Sequence, residues 1–589
     1  MWEKLEPRTD PLSPKNVLIF STTALTSTIF PSGSRTILCF KSPLTGFYGE
    51  SAIGGDFAPY LKFAGYDVLV VEGKSKKPVY LYIDNEKVEL RDATRIWGKL
   101  AWETDELLKK EVDNTDVSII RIGPAGENLN RLACITSGYN HAFGKGGNGA
   151  VAGSKNLKAI AVRGKGKVSS YNSEDLKILS SKVREACKKN LAIFTKAQIH
   201  WLHVFGQIMV GLPSHHFQQS GWEKGRNLYH DRIMKTYTGR DTSCWGCPLR
   251  SRKILSSKKG HKLDVMAEAF LAWGYNLMID DLDDLLEIFY LCAQYGVDIN
   301  GSAEWAGWLA ECQERGILTP EDVGGLEVKF GDGKSCIQLL KTIFARKGFG
   351  DVLAEGPKIA SEKVGKGSEK YVMHVKGSPL EGEVYRADKA LLLGVATQER
   401  GGSVNRPFTT QHVYGGLPWP GALSGKVGET PNPLEEKGMA KWFKPLKESH
   451  IGILNTIGSC FLITWYIPIF GGGMSVLDVI EGYKYLTGRE ISLEEGEKIG
   501  ERVINLSRAF NAREGFDRKD DTMPERFLKE PRKGGPTDGA RVENFDAMLD
   551  EFYTECGFDL KTGWPTRKKL EELGLMDVAD ELYRRQRSC

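Results

Sequence analysis

The sequence predicts an α+β protein, because β-rich and helical patterns occupy different parts of the chain. Up to about Gly164, short runs of β-branched and aromatic residues alternate with turns rich in glycine, proline, aspartate and asparagine. From Ser173 onward, apolar residues recur at helical spacing instead. A chain of 589 residues has room for about four domains of ~150 residues, and large enzymes often have fewer. We therefore expect three domains.

The N-terminal part contains short runs with the composition of strands, at 16–20, 36–40, 66–71, 79–83, 117–120 and 157–162. Residues 84–87, Asp-Asn-Glu-Lys, are typical of a hairpin connection. Only one convincing helix, at 105–112, interrupts the strands. The pattern therefore predicts antiparallel sheets rather than an alternating βαβ array.

The rest of the chain has a helical pattern. Ser173 is a candidate N-cap, followed by two acidic residues in the first turn. Further apolar stripes predict helices over 282–293 and 566–582. Between these two helices, residues 400–433 are rich in glycine and proline and do not fit regular structure. Loops of this length are uncommon unless they line a site.

Charge and cysteine usage exclude several protein classes. The chain has 80 Lys and Arg against 76 Asp and Glu, a net charge of +4, with the two signs interspersed, so we expect no nucleic-acid partner. The N-terminus has no apolar core of the kind a signal peptide needs, and the 11 cysteines do not form a small disulfide scaffold. We therefore expect a cytoplasmic protein.

One stretch, 451–470, has no charged residue and follows several lysines, as a membrane helix does. Its glycine, asparagine, threonine and proline residues favour a buried core segment of a soluble protein instead, because neighbouring elements satisfy such breaks. We therefore expect no membrane segment.

The cysteines at Cys244-x-x-Cys247 and the distant Cys460 almost complete an iron–sulfur site, with Ser251 where a third cysteine would fit. Clustered thiolates in a reduced protein usually indicate electron transfer or metal binding rather than disulfides. This set would hold a [4Fe-4S] cluster next to a neighbouring redox centre. An unconnected pair or half of a zinc site is the alternative, but no second zinc-like pair follows.

Residues 144–149, GKGGNG, satisfy the G-x-G-x-x-G string that brings backbone amides close to a pyrophosphate. A buried strand does not precede them, and the chain that follows is too short for a crossover helix, so a phosphate cradle of another kind is favoured over a Rossmann site. Arg35 follows a Pro-Ser-Gly-Ser turn and faces Gly54 and Gly55. It is either a solvated turn residue or a phosphate clamp.

Glu268 is an acidic residue surrounded by apolar ones. A buried carboxyl with a raised pKa suits general acid or base catalysis, and a structural hydrogen bond to the backbone is the alternative. The adjacent His215 and His216 cannot point the same way along a strand, so we interpret them as loop residues.

Taken together, these segments resemble the tungsten-containing aldehyde ferredoxin oxidoreductase family, and the likeness runs almost from end to end. The matching segments are DPLSP at 10–14, PSGSR at 31–35, KSPLTGF at 41–47, LKFAGYD at 61–67, VEGK at 71–74, IGPAGEN at 122–128, GSKNLKAI at 153–160, Cys244-x-x-Cys247, AT-x-x-RG at 396–401, DTMPERF at 521–527 and KLEEL at 569–573.

The resemblance implies an N-terminal domain of two β-sheets over two mainly α-helical domains, which we place at 1–165, 166–376 and 377–589. The first domain is short at its N-terminus relative to the family. The β-sheet domain would cover a tungsten, or molybdenum, held by the dithiolenes of two pterin cofactors. No side-chain motif for this metal is therefore expected.

The resemblance also assigns site residues by position. Near the pterin phosphates, with magnesium as a possible bridge, it places Arg35, Gly54, Ala142 and Gly146. Arg406 corresponds to a basic residue close to the cofactor, and Glu268 to a carboxylate beside the metal. The cluster ligands would be Cys244, Cys247, Ser251 and Cys460.

The family's two D-x-x-G-L-[DC] motifs, whose aspartates bind pterin amines, occur here in altered form, as Ala293-Gln-Tyr-Gly296-Val-Asp298 and Asn455-Thr-Ile-Gly458-Ser-Cys460. Asparagine can still accept a hydrogen bond, whereas alanine cannot. Val404 occupies the position of the family's active-site histidine, and Tyr290 that of a histidine that binds a dimer-bridging iron.

The activity that the resemblance implies is oxidation of a small aldehyde to its carboxylic acid, with ferredoxin as electron acceptor, by a possible homodimer. A metal–oxo centre polarises the carbonyl in that chemistry, and a carboxylate helps to activate water. The alternative is a catalytically silent paralogue that acts as a scaffold or partner subunit. An active member isolated without oxygen would contain tungsten or molybdenum and be brown, whereas a scaffold would be colourless.

Overall fold

The computed structural model describes residues 1–205, 210–404, 432–466 and 473–586. It confirms the α+β class, with β-sheets in the N-terminal part and mostly helices after it. The first sheet consists of β1 (Leu18–Thr22), β2 (Thr36–Lys41), β3 (Tyr48–Ile53) and β4 (Val68–Val71). Its order is β3-β2-β1-β4, and every neighbouring pair is antiparallel.

The second sheet consists of β5 (Val79–Asp84), β6 (Lys87–Asp92), β7 (Ser118–Arg121), β8 (Thr136–Ser137), β9 (His141–Ala142) and β10 (Leu157–Arg163). Its order is β6-β5-β10-β7-β8-β9. The prediction of purely antiparallel sheets is wrong at one position, because β10 pairs parallel with β5 and antiparallel with β7. β10 enters the sheet between two strands formed much earlier in the chain, a pairing that local sequence does not encode.

Short helices accompany these strands, namely α1 (Phe57–Phe63), α2 (Ala101–Glu111), α3 (Pro124–Glu127) and α4 (Asn148–Ser154). The structure confirms α2 as the predicted helix. The predicted hairpin connection at 84–87 is also confirmed, since β5 and β6 pair across it. Strand β3 was not predicted, because Gly49, Glu50 and Ser51 give it little of the usual strand composition.

The two sheets share one hydrophobic core. Its members include Phe20 and Phe40 of the first sheet and Ile120 and Ile160 of the second, with α1 packed beside them. Burying each such side chain contributes about 1.5–3 kcal/mol. The polar loops that connect the strands are therefore left on the rims of the sandwich, where they can meet other parts of the chain.

The next part of the chain mixes helices with short strand pairs. Its helices are α5 (Ser173–Phe205), α6 (His230–Thr236), α7 (Ala267–Ala269), α8 (Leu282–Tyr295), α9 (Ala303–Glu314), α10 (Gly333–Phe344), α11 (Gly350–Leu353) and α12 (Pro357–Val364). Its strands are β11 (Pro213–Ser214), β12 (Gln219–Ser220), β13 (Gly239–Thr242), β14 (Arg252–Ser256), β15 (Lys262–Val265), β16 (His374–Val375) and β17 (Ser378–Pro379).

The described remainder is helical, with α13 (Lys389–Ala396), α14 (Met439–Ser449), α15 (Val476–Thr487), α16 (Leu493–Arg513), α17 (Glu525–Lys529), α18 (Phe545–Cys556), α19 (Arg567–Glu572) and α20 (Met576–Gln586). Among the described residues, π-helical segments include Phe270–Tyr275, His450–Gly458 and Leu462–Tyr466. The helix predicted over 566–582 is instead two helices, α19 and α20. Gly574 separates them in a left-handed conformation with φ of +70°.

Helix α5 begins where the sequence predicts, but its cap is one residue earlier. The side chain of Asn172 accepts a hydrogen bond from the backbone N–H of Asp175 at 3.2 Å, and Ser173 is the first helical residue. The predicted helix over 282–293 is confirmed as α8, which the side chain of Asp281 caps.

The described part of the uncharged stretch 451–470 is a buried core segment, as predicted. Its π-helical part packs on α16 so closely that a Cβ at Gly452 would lie 1.9 Å from the carbonyl oxygen of Gly496. None of the helices described here is both long and apolar enough to cross a membrane. The domain boundaries at 165 and 376 stay predictions.

Candidate active site

The loop between β13 and β14 carries the two close cysteines to the rim of the N-terminal sheets. The backbone N–H of Cys247 donates to the carbonyl of Cys244 at 3.1 Å, which closes the turn, and that of Trp245 donates to the carbonyl of Gly55 at 3.0 Å. Ser32 donates its hydroxyl hydrogen to the Cys247 sulfur at 3.2 Å. Ser251 lies on the same loop, immediately before β14.

Cys460 joins these thiols from the other end of the chain. Burial, together with the neighbouring Cys244 and Cys460, raises the pKa of Cys247 to about 12. Burial also raises the pKa of Cys244, and Cys460 adds to the effect. The three sulfurs therefore lie within electrostatic reach of one another in a poorly solvated pocket. In the described part of the chain, no three His, Cys, Asp or Glu side chains are grouped closely enough to hold a single metal ion.

Gly54 allows the cysteine loop to come close to the first sheet. A Cβ on Gly54 would lie 2.6 Å from the sulfur of Cys244, closer than any real contact, so only glycine lets the cysteine loop dock on the first sheet. Gly146 has a φ of +76°, and a Cβ there would lie 2.9 Å from the ring of Phe40. The hydroxyl of Ser42 donates to the Gly146 carbonyl at 2.7 Å and holds the glycine loop in this position.

The glycine loop lies outside any Rossmann unit. The small β8–β9 hairpin precedes it, and the strand after α4 runs antiparallel to β7. Ala142 ends β9 at the start of this loop.

Positive charge gathers beside the thiols. Arg35, Arg121 and Arg252 surround His141, and burial together with these arginines keeps the pKa of His141 well below its usual range. Arg252 is held by Asp264 at 2.7 Å, whereas the buried Nε of Arg35 has no hydrogen-bond partner among the described residues. An arginine with an unused buried donor fits an anionic group such as a phosphate.

The π-helical segment His450–Gly458 contains a second side chain whose hydrogen-bonding atoms have no partner among the described residues. Both side-chain atoms of Asn455, Oδ1 and Nδ2, are buried and have no partner in the described chain. An adjacent acceptor and donor of this kind fit the polar edge of a heterocycle such as a pterin. Gly458 has a φ of +118°, and a Cβ there would lie 2.0 Å from the hydroxyl oxygen of Thr23, so the segment docks directly on the N-terminal domain.

The other predicted pterin motif is placed differently. Gly296 ends α8 in the left-handed conformation, with φ of +70°, and its carbonyl accepts from the N–H of Cys134 at 2.7 Å. A Cβ there would lie 2.8 Å from the backbone nitrogen of Gly123. Asp298, two residues later, lies 3.7 Å from the amine of Lys145 in the glycine loop. Gly296 therefore packs on the N-terminal part of the chain through its backbone contacts with Cys134 and Gly123.

Glu268 is the second residue of α7 and has a buried oxygen, Oε2, without a hydrogen-bond partner among the described residues. Burial raises the pKa of Glu268, and the negative charge of Glu381 adds to the effect. The charge of Glu268 in turn reaches Arg252, which also faces Cys244. The carboxyl is thus close to the arginine and thiol groups and suits proton transfer.

Sequence reasoning missed Glu381 and Glu383, two buried acids that act electrostatically on each other and on Glu268. The signal for them is weak, since it consists of two glutamates on either side of a glycine just before a buried helix. His215 and His216 lie in a loop as predicted, but the contacts of His216 were missed. Its two ring nitrogens lie 2.8 Å from Glu311 and 3.2 Å from Glu304.

Arg406 and most of the stretch 400–433 lie outside the described residues. Val404 is buried. Tyr290 stacks on His261 with ring centroids 3.7 Å apart and also contacts Trp102, so it is packed among aromatic rings.

Comparisons with known proteins match almost the whole length of the chain. The model of the aldehyde ferredoxin oxidoreductase N-terminal domain matches residues 1–164, and that of domains 2 and 3 matches residues 197–575. The tungsten-containing aldehyde ferredoxin oxidoreductase of Pyrococcus horikoshii is 34% identical, over 97% of this chain and 92% of that protein. The aliphatic sulfonate oxidoreductase, WOR-like subunit, of Pyrococcus furiosus is 31% identical, over 99% and 91%.

A solved structure is also similar. It is the active site complex BamBC of benzoyl coenzyme A reductase in complex with 1,5-dienoyl-CoA, with a TM-score of 0.84 and 26% identity. The likeness covers 99% of this chain and 93% of that one.

Proposed function

The chain belongs to the aldehyde ferredoxin oxidoreductase family, and we propose that it is a tungstopterin-dependent enzyme that oxidises an aldehyde to a carboxylic acid with ferredoxin as electron acceptor. The observation that carries the proposal is a set of buried polar atoms without partners in the described chain, on Arg35, Glu268 and Asn455. An unsatisfied buried polar group costs about 1–3 kcal/mol. A bound group that met these atoms would recover that free energy.

The residues present fit the family's cofactor. Arg35 would bind a phosphate of the pterins, in the space left by Gly54, Ala142 and Gly146, and magnesium would supply further positive charge to the phosphates there. Asn455 would bind a pterin edge through its amide, and Gly296 and Gly458 would hold the backbone around it. Arg406 would add a further positive charge. The neutral His141 leaves the arginines as the main cations there.

Glu268 is the proposed catalytic residue. Oxidation of an aldehyde adds one water oxygen to the carbonyl carbon and releases two electrons and two protons. Bound tungsten, or molybdenum, supplies Lewis-acid and two-electron redox chemistry. Glu268 takes a proton from the attacking water, a role for which the raised pKa keeps the carboxylate basic enough. Arg252 stabilises its ionised form.

Cys244, Cys247 and Cys460, with Ser251 as the fourth candidate ligand, would hold a [4Fe-4S] cluster that passes the electrons singly to ferredoxin. Bound iron would overcome the raised pKa values of Cys244 and Cys247, since a bound cation deprotonates a coordinating thiol. Gly458 and Cys460 on one segment would connect the pterin and the cluster.

The silent-scaffold alternative predicts the opposite side-chain pattern. A chain that had lost its cofactor would be more stable with an apolar residue in place of Asn455 or Glu268, because both side chains have buried atoms that bond to nothing described. The polar side chains at these two positions therefore support the enzyme.

The test is anaerobic expression with tungstate, followed by metal and iron analysis and by assay of aldehyde-dependent reduction of ferredoxin. We expect about one tungsten or molybdenum per chain, iron, and activity. The Ser251→Cys variant is compared for iron content, and Asn455→Leu for tungsten content. Protein that folds but contains neither metal contradicts the proposal, whereas metal without aldehyde activity contradicts only the substrate class.

A further inference from the structure

Glu381 and Glu383 lie against the turn that carries Glu268. Gly382, between them, packs on the π-helical segment Phe270–Tyr275, because a Cβ there would lie 3.0 Å from the carbonyl oxygen of Leu271. The N–H of Glu383 donates to the carbonyl of Glu381 at 2.8 Å, which makes a tight turn. Both acids are only 6% exposed. A short segment thus holds two buried carboxyls beside the proposed catalytic residue.

The two carboxyls differ in their contacts. Glu381 lies 3.5 Å from the amine of Lys145. The side chain of Glu383 makes no hydrogen bond or ion pair with the residues that the structure describes. Burial, together with the negative charges of Glu381, Glu268 and Asp388, raises the pKa of Glu383 well above its usual range. A protonated carboxyl both donates and accepts hydrogen bonds, so it can take a proton on one side and release one on the other.

A small cavity is lined by Glu383 but not by Glu268. Its volume is about 10 Å³, roughly the room that one water needs. It lies under the hairpin of β11 and β12, and its polar lining residues are Glu383, Gln219, Ser220, Arg386 and Arg532. Gln219 is exposed to solvent, so the cavity lies between a buried acid and the surface.

We propose that Glu383 is a proton-relay residue that connects Glu268 to solvent through this cavity. The inference rests on the proposed function, in which each turnover releases two protons at the site. Glu268 accepts a proton from water, Glu383 accepts it from Glu268 and releases its own proton to the cavity water, and no electron moves along this path. The charged groups that face Glu383 are Glu268 on α7, Glu381 and Asp388 on its own segment, and Arg386 and Arg532 across the cavity.

The test is the Glu383→Gln variant of the anaerobically purified enzyme, which keeps the shape of the side chain but cannot carry the proton. Infrared spectroscopy follows how fast the protonated Glu268 carboxyl exchanges its hydrogen after transfer into D2O, with its band assigned by Glu268→Gln. We expect exchange at least ~10-fold slower than in the wild type, kcat lower by about ten-fold, and KM within about two-fold. A merely structural residue would not slow this exchange.

Glu448→Gln is the matched control. Burial raises the pKa of Glu448 to about 7, but this carboxyl pairs with Lys444 and is not among the charges that act on Glu268 or Glu383. It should leave Glu268 exchange unchanged. Glu383→Asp, which keeps an acid with a shorter reach, should slow exchange to an intermediate extent and serves if the glutamine variant does not fold. Exchange at the wild-type rate in either folded variant overturns the proposal, and it does so whether or not the enzyme accepts aldehydes.

Discussion

Two regions of the molecule bury charged and polar side chains, and they satisfy them to different degrees. In the helical part, His216, Glu304, Glu311 and Arg526 form what we call the His216 network, in which each side chain bonds to another member. Glu304 also accepts from the backbone N–H of Met373 at 2.7 Å. At the candidate active site, Asn455, Glu268 and Arg35 retain buried atoms with no partner in the described chain.

This difference in hydrogen bonding indicates different roles for the two regions. Buried charges that bond to one another hold several elements in one arrangement. Every side chain of the His216 network has a partner within the protein, and the Nε of Arg526 is the one atom of the four side chains that is buried without a hydrogen bond to the described residues. Buried atoms that bond to nothing lower the stability of the protein alone and gain only when something binds. Substitutions should therefore act on folding in the His216 network and on binding or catalysis at the candidate site.

The largest effect is expected for Glu268→Gln. It removes the proton acceptor, so kcat should fall by about 10²–10⁴-fold with little change in KM. Stability should not fall, because the variant replaces an unpaired buried carboxyl by a neutral group. Steady-state kinetics measures the change in kcat, and thermal unfolding measures the change in stability. A large loss of stability would show that Glu268 has a structural role.

In the His216 network, Glu311→Gln should destabilise the protein by about 3–5 kcal/mol, because it leaves His216 and Arg526 buried without their shared charge. Denaturant unfolding measures the change. Glu314→Gln, on the same helix and half exposed beside His215, is the control and should change stability by less than about 1 kcal/mol. A similar loss in both variants would remove the distinction between the two regions.

The His216 network should also make stability depend on pH. Burial alone would lower the pKa of His216, but Glu304 and Glu311 raise it to about 9. Because the pKa in the folded state exceeds the unfolded value of about 6.5, the stabilisation is complete below pH 6.5 and is lost as pH rises through 9. The free energy of unfolding should fall by at most about 3 kcal/mol over that range. His216→Gln should remove this slope, which unfolding at a series of pH values measures.

The smallest effect is expected at Asn455. In metal-free protein, Asn455→Leu should raise stability by about 1 kcal/mol, because it removes two unpaired buried atoms. Asn276→Leu is the matched control and should lower stability by about 1–3 kcal/mol, since the Asn276 side chain accepts from the N–H of Phe217 at 2.9 Å. Stability changes of the same sign in the two variants would contradict the proposed difference between the two regions.

Local pattern in the sequence was enough for part of the fold and part of the site. Helix α8 follows from its strong apolar period, and the Cys244-x-x-Cys247 spacing is visible in the sequence itself. The parallel pairing of β10 with β5 depends on where distant strands meet, so it was mispredicted. The burial of Glu383 and the contacts of His216 were missed for the same reason, because they depend on segments far along the chain.

The docking of Gly458 on Thr23, described above, has a consequence for how the protein matures. The thiol pocket combines the N-terminal sheets, the loop at Cys244 and the segment that ends at Cys460. A nascent chain still on the ribosome lacks the last of these for most of its synthesis. A group that binds in this pocket can therefore be fully enclosed only after the segment that ends at Cys460 has been translated.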